Sequence, residues 1–513
     1  MNKTKTETFL FYFILFLATF VRLYKLSEIP LGLDADEALS GYEAFSLLTT
    51  GHDSWGYRFP LYFIFWGKGT TVLYAYSTIP FIACLGLNAV AIRLPQVLFG
   101  LLSCYVFYRL LRLMFSRPVA LFGFFLVAII PWQILQARTG LEIKIAPFFV
   151  LTGFYFFVKS FKNKDYLLLS AVFYGLSLYT YGVVWIYTTL TFGFELSYLL
   201  WYKRDKSTLL TVLTSGIIFT LFAFPIILLT LINLNFIPEI RTDYFSIPKL
   251  PEWRGSEIDL QISTNFKRIF LLILLGQDEF LRNAFPPYGI FYPISVPFIF
   301  IGIYSLCSNT LKDIKKHEIS INFLILINII TGIFYSLTFY PNINRCNFLW
   351  YNILITIVYG IYPFIIKPYF RNLFIPLYLV FFICFSYTFL KKFNFMEDHW
   401  FSSDLESAIS IAEQNHAQST LPIKIIDNRA IHPKILFFTK THPNTFLETV
   451  RRRKKIQPPV ASFTHFYFNP YIDYEHPSPD AIYIAPAERL PFFHEFNTRV
   501  VGTYLVATPK QTN

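Results

Sequence analysis

The chain has 513 residues, of which 54% are apolar, 20% aromatic and only 15% charged, and this excludes a disordered chain and an ordinary soluble enzyme. A formal net charge of +12 would suggest nucleic acid in a soluble protein, but membrane proteins gather Lys and Arg in their cytoplasmic loops, so the expected partner is the lipid bilayer and not nucleic acid. The cysteines Cys84, Cys104, Cys307, Cys346 and Cys384 lie in or beside apolar segments without CxxC or zinc-finger spacing, which predicts neither a disulfide framework nor a cysteine metal site.

In chain order, stretches of ~20 mainly apolar residues predict eleven spanning helices, near 8–24, 94–113, 118–136, 142–158, 166–182, 184–201, 208–231, 290–308, 319–339, 347–366 and 372–390. The first ends in Arg22 and Lys25 without a small-residue cleavage site and reads as an uncleaved anchor. Residues 71–87 are ambiguous, and the basic residues arbitrate. With the N-terminus inside, the inner turns carry Arg109/Arg112/Arg117, Lys159/Lys162/Lys164, Lys203/Arg204/Lys206, Lys312/Lys315/Lys316 and Lys367/Arg371; a twelfth span at 71–87 would invert that bias. This stretch is therefore expected to form an interfacial or re-entrant helix on the outer face. Three parts then lie outside: a first loop near 25–93, a second near 233–287, and the tail. The expected fold class is an α-helical polytopic protein of the cell membrane, N-terminus in and C-terminus out. Residues 1–390 are its membrane domain and 391–513 a small extracytoplasmic α/β domain, with a helix at 403–413 and strands at 423–426, 465–468, 481–484 and 499–507.

Apart from Glu195 the helix centres are almost free of charge, whereas a transporter keeps ionisable residues near the bilayer midplane. Charge collects instead at the outer ends. The first loop, LGLDADEALSGYEAFSLLTTGHDSWG, brings Asp34, Asp36, Glu37, Glu43 and Asp53 close together. Asp34 or Asp36 can cap a helix beginning near Glu37, whose Leu39, Tyr42, Phe45, Ser46 and Leu48 would lie along the membrane surface. Capping and chemistry are the two readings of these acids. Lys68 (WGKGTTVLY), Arg138 and Glu142 (PWQILQARTGLEIK) and Arg345 (NINRCNF) also sit at outer ends. Arg138 and Glu142 share a face and can simply pair if their turn is helical; Lys68 can bind an anion between its glycines or snorkel. Arg345, the single charge of a short outer turn, favours phosphate contact. Tyr181 can stack on a sugar or belong to an interfacial aromatic belt. Asp278, Glu279, Arg282 and Asn283 precede a Pro-Pro-Tyr-Gly turn that forms either a lid or an entry into the next span. His52 beside Asp53 reads as a loop histidine, and the basic run 451–455 as a solvated helix end. No spacing demands a cofactor, although a carboxylate-rich loop has the chemistry to hold a divalent metal.

A carboxylate with several cations at the lipid interface suits sugar transfer from a lipid-linked phosphate carrier: the carboxylate takes a proton from an acceptor hydroxyl, and the cations stabilise charge on the departing phosphate. The alternatives are a flippase or transporter of such a lipid, and a non-catalytic scaffold.

The ordered set Asp36-Glu37, YEAFSLLTTGHDSWG, GKGTTVLYAYSTIP, Arg93-Leu94-Pro95 and PWQILQAR resembles bacterial membrane glycosyltransferases related to the dolichyl-phosphate-mannose protein mannosyltransferases and the lipid A aminoarabinose transferases, over most of residues 8–390. The resemblance implies a polyprenyl-phosphate-linked sugar donor, inversion at the anomeric carbon and catalysis on the extracytoplasmic face. It further implies Asp36 as catalytic base, Glu37 as its neighbour, and Lys68, Arg138 and Arg345 as donor-phosphate contacts. The acceptor, whether protein, lipid or cell-wall polymer, is left open. Two positions depart from the family: Gly69 follows Lys68 where many relatives have proline, and Glu142 stands where some have aspartate.

Overall fold

The computed structural model describes residues 3–65, 68–253, 261–280, 282–427, 429, 431–451, 460–468 and 476–510, so 452–455 of the basic run lie outside the described residues. The chain forms two compact units. Unit 1 comprises Met1–Tyr24, Gln96–Thr230 and Gly255–Lys392, and unit 2 comprises Lys25–Pro95, Leu231–Arg254 and Phe393–Asn513. The segments expected outside the bilayer are thus those of unit 2, except that the second loop joins unit 1 after Arg254.

Unit 1 is helical. Each of the eleven predicted segments is a helix over most of its length, and the 118–136 segment is broken into Arg117–Ile129 and Pro131–Gln136. The break is local chemistry: Ile130 is extended (φ −65°, ψ 142°), as the residue before a proline prefers. Among the described residues, six helical stretches are long and apolar enough to cross a membrane: Lys5–Leu23, Ala89–Met114, Glu142–Ser160, Lys206–Asn233, Pro293–Lys315 and Pro368–Met396. The ambiguous stretch is Leu73–Leu85 in unit 2, whose 13 residues are short for a span.

Close helix packing in unit 1 depends on glycine. A Cβ at Gly302 would run into the Thr356 carbonyl and one at Gly360 into the Phe298 carbonyl, so the Val296–Lys315 and Trp350–Ile365 helices meet backbone to backbone. Two buried ionisable groups make hydrogen bonds within the bundle. Arg22 donates to the carbonyls of Ala18 (2.8 Å) and Ala128 (3.1 Å) and to Gln133 Oε1 (2.7 Å). Glu195, the mid-helix acid, accepts from the Tyr174 hydroxyl at 3.0 Å and the Asn328 amide at 3.3 Å, tying three helices together.

In unit 2 the C-terminal segment builds a six-stranded mixed sheet, in spatial order Ser462–Phe463, Phe466–Phe468, Ile423–Ile425, Ile482–Pro486, Tyr504–Pro509 and Phe496–Val501. Ile423–Ile425 is parallel to both neighbours; the other pairings are antiparallel. The single strand expected at 499–507 is two strands of a hairpin, because Gly502 (φ +55°) turns the chain between Val501 and Tyr504. The Leu405–Ser419 helix packs on Ile482–Pro486 and Tyr504–Pro509 and touches the His432–Thr439 helix, which in turn packs on the first-loop helix Ala35–Thr50.

That last contact corrects the expectation for Leu39, Tyr42, Phe45, Ser46 and Leu48. Leu39, Tyr42 and Ser46 are buried in protein, and only Leu48 is exposed among the apolar members. Tyr42 donates to the Thr441 carbonyl at 2.9 Å and meets Phe446 edge-on, while Gly41 leaves room for Phe437, whose ring would lie 2.7 Å from a Cβ there. The stripe is a packing face. Each fully buried aromatic of this kind contributes about 1.5–3 kcal/mol.

Candidate active site

The acidic turn of unit 2 is assembled by three side chains with separate tasks. Asp34 is the N-cap of Ala35–Thr50: its carboxylate accepts the Asp36 N–H at 3.0 Å, and the Glu37 carboxylate reaches back to the Asp34 N–H at 3.2 Å. This reciprocal cap contributes about 1 kcal/mol. Glu37 is fully buried and forked by Arg93, Nε to Oε1 at 2.9 Å and Nη2 to Oε2 at 3.1 Å. The same guanidinium donates to the carbonyls of Leu26 (3.0 Å), Pro30 (2.7 Å) and Gly32 (2.8 Å), so one arginine holds the whole approach to the turn. Neither the cap nor the fork uses the Asp36 carboxylate, and Asp36 is half-buried. Asp34 and Glu37 hold the turn that carries Asp36.

Lys68 is half-buried on a tight reversal in which its N–H and that of Gly69 both donate to the Phe65 carbonyl, at 2.7 and 2.9 Å. Gly69 has φ +95°, and a Cβ there would lie 2.5 Å from the Tyr62 ring. Proline, with φ near −65°, cannot adopt that conformation. The departure from the family at Gly69 is therefore built into this hairpin.

Glu43 and Asp53, in the same unit, are fully buried. Glu43 accepts the Ser54 N–H at 2.8 Å and also the Ser54 hydroxyl. Asp53 Oδ1 accepts the N–H groups of Trp55 (3.0 Å) and Tyr57 (2.7 Å), while its Oδ2 is buried without a hydrogen-bond partner among the described residues. Burial pushes Glu43 up to about 7, and burial followed by the Glu43 charge pushes Asp53 in the same direction. Carboxyls raised in the folded state hold their protons longer there than in the unfolded chain. Their stabilisation is complete below ~4 and is lost as pH rises through about 7, on the order of 3 kcal/mol for Glu43. The unfolding temperature is expected to fall between pH 5 and 8, and Asp53→Asn is expected to flatten that fall. Identical pH dependence in wild type and variant would contradict the pairing.

The remaining expected site residues belong to unit 1. Arg138 is buried, donates to the carbonyls of Val21 (3.1 Å) and Arg22 (3.3 Å) and lies over the Phe389 ring. Helix ends at Gln136, and Glu142 starts a separate 3₁₀ turn, so the four-residue helical spacing invoked for an Arg138–Glu142 pair does not apply. Glu142 is half-buried. Arg345 is half-buried and donates to the Tyr340 carbonyl at 3.2 Å. Asn283 is buried and donates to Asp278 Oδ2 at 3.4 Å; the same oxygen accepts the Ile343 N–H at 2.7 Å. Asp278 therefore ties the end of the second loop to the turn that carries Arg345. Tyr181 is half-buried in a turn whose neighbours Tyr179 and Trp185 donate to the carbonyls of Phe222 (2.7 Å) and Leu178 (2.6 Å). Among the described residues no three His, Cys, Asp or Glu side chains come together as a metal-binding group.

Sequence reasoning missed the work of Arg93, quoted only as part of an Arg-Leu-Pro marker. The available signal was a lone arginine opening an apolar helix, which needs a buried acid to accept it.

Against known proteins, residues 71–229 match the family model described as dolichyl-phosphate-mannose-protein mannosyltransferase. Arg93, Arg138, Glu142 and Tyr181 fall inside that range; Asp36, Lys68, Asn283 and Arg345 fall outside it. No curated protein matches by sequence. Among solved structures, ArnT from Cupriavidus metallidurans in the apo state aligns with a TM-score of 0.57 at 12% identity, over 99% of this chain and 98% of ArnT. The same protein bound to undecaprenyl phosphate aligns with a TM-score of 0.58 at 12% identity, again over 99% and 98%. The chain has the ArnT fold. The archaeal oligosaccharyltransferase AglB from Archaeoglobus fulgidus, in complex with an inhibitory peptide and a dolichol-phosphate, aligns at 12% identity and a TM-score of 0.47, over 99% of this chain and 75% of AglB. The alignment with ArnT spans segments of both units.

Proposed function

We propose that this chain is a multi-pass membrane glycosyltransferase that moves a sugar from a polyprenyl-phosphate-linked donor to an acceptor hydroxyl on the extracytoplasmic face, with inversion. The observation that carries the reading is the acidic turn: the Asp34 cap and the Arg93 fork on Glu37 fix the backbone that carries the half-buried Asp36. The family-model match over 71–229 and the ArnT fold support the same reaction class.

In the proposed reaction Asp36 takes the proton of the acceptor hydroxyl as the acceptor oxygen attacks the anomeric carbon. The bond from that carbon to the phosphate oxygen breaks on the opposite side, and polyprenyl phosphate leaves carrying the negative charge. Lys68 is proposed to stabilise that charge as it develops. Arg138 and Arg345 keep the donor-phosphate roles that the resemblance implies, and Glu142, Tyr181 and Asn283 remain proposed substrate contacts.

The test is a reconstituted assay with a labelled polyprenyl-phosphate sugar and a membrane-extract acceptor. The expected result is time-dependent release of polyprenyl phosphate together with label in the acceptor. Passage of intact donor across vesicles without release would replace the proposal by a transport function.

A further inference from the structure

Unit 2 contains a buried lysine that the proposed reaction does not yet use. Lys434 lies in the first turn of the His432–Thr439 helix, is 1% exposed, and donates through Nζ to the Trp400 carbonyl at 2.9 Å and the Ser402 hydroxyl at 3.0 Å. The turn it grips is the seat of the chain just before the acidic cap. The Leu33 N–H donates to the Phe401 carbonyl at 2.8 Å, and Gly32 (φ +80°) sits so close to that carbonyl that a Cβ would run into it. One step earlier, Asn394 accepts the Leu31 N–H at 2.9 Å and donates to the Glu28 carbonyl at 2.7 Å. Residues 28–33 therefore rest on residues 394–403; within that support Asp398 Oδ1 accepts the Ser403 N–H at 3.0 Å, and Lys434 grips it from the His432–Thr439 helix.

We propose that Lys434 is a positioning residue for the acidic turn: its ammonium fixes the 400–402 support beneath residues 31–33 and sets a buried positive charge toward Asp34 and Glu37, so that the C-terminal segment aims Asp36. This rests on the glycosyltransferase reading above. It gives the C-terminal segment a part in the reaction.

The electrostatics agree with the geometry. Burial pulls Lys434 down to about 8, while Asp34, Asp427 and Glu37 favour its charged form and Arg429 opposes it. Asp427 is itself paired with Arg429 at 2.9 Å. A buried ammonium weakens a fold relative to an apolar side chain of the same volume. Packing alone would be served by methionine, so the charge has a use beyond packing.

Two readouts on Lys434→Met test this. The first is amide hydrogen exchange of residues 31–38, which needs no activity: exchange is expected to be about ten-fold faster than in wild type at pH 7, and in wild type the protection relative to the intrinsic base-catalysed rate is expected to fall as pH rises through about 8, where the amine loses its proton. The second is steady-state transfer. The expected result is a kcat lowered about ten-fold at unchanged donor KM, with loss of the alkaline limb near pH 8 that wild type shows. Unchanged exchange at 31–38, or a wild-type kcat with the alkaline limb retained, would overturn the proposal. Faster exchange in the variant, with a wild type that releases no polyprenyl phosphate, would uphold the positioning and remove the glycosyltransferase reading instead. Ser402→Ala, which removes one of the two acceptors of Nζ, is expected to shift both readouts the same way to a smaller extent.

Discussion

Asp36→Asn is expected to lower sugar transfer by a factor of about 10²–10⁴, the contribution of a positioned general base, with the cap and the Arg93 fork left in place. The side chain that changes belongs neither to the cap nor to the Arg93 fork, and the isosteric amide fits the same half-buried space. The backbone N–H of residue 36 still donates to Asp34, so the turn keeps its shape. What is lost is the basic oxygen. Asp34→Asn is the matched control one turn edge away: Asn caps a helix about as well as Asp, so that variant should retain most of its turnover. Release of polyprenyl phosphate measured for both variants separates the two carboxylates. Full turnover by Asp36→Asn would reject Asp36 as the base.

The largest expected effect on stability is that of Arg93→Ala. Arg93 and Glu37 are both fully buried, and removing the guanidinium leaves a buried carboxylate without its cation and three carbonyls, those of Leu26, Pro30 and Gly32, without their donor. Breaking a buried pair from one side costs about 3–5 kcal/mol, which is a large share of a domain's stability. The variant should give little folded protein, or a clearly lowered unfolding temperature in detergent. Arg93→Lys should rescue only in part, because a point ammonium cannot reproduce the two-pronged contact with Glu37 and reach three carbonyls as well. Arg93→Met combined with Glu37→Met should be milder than Arg93→Ala alone, since no charge is then left unpaired in the interior. Equal unfolding temperatures for wild type and Arg93→Ala would show that the pair does not hold the turn.

Between them these two expected results would divide a four-residue stretch into one residue that reacts and neighbours that hold it, and that division was only half readable beforehand. The cap was legible as one of two readings, with Asp34 and Asp36 both able to supply it, and the structure assigns it to Asp34 with Glu37 completing the box. The Arg93 fork was not, because the partners are 56 positions apart and nothing in either neighbourhood names the other. Similarly, Gly69 looked like a departure from the family and proves to be the residue its hairpin requires at φ +95°. The apolar stripe of the Ala35–Thr50 helix was read as a membrane-facing surface. Amphipathicity says that a face must be covered but does not say by what, and here the His432–Thr439 helix supplies the cover.

By itself, then, the amino-acid order determined what depends on near neighbours: the eleven apolar helices, the capped start of the first-loop helix, and the concentration of acids in that loop. Each follows from the hydrophobic effect, backbone hydrogen bonding and short-range electrostatics acting over a few turns. Only the tertiary structure decided which acid caps the helix and which is gripped by Arg93, that Glu43 and Asp53 are buried with their protons favoured, and that Lys434 from the far end of the chain grips the segment beneath residues 31–33. Those outcomes depend on desolvation and on pairing across long stretches of chain, and a charge acquires its partner and its burial only when folding brings the distant segments together.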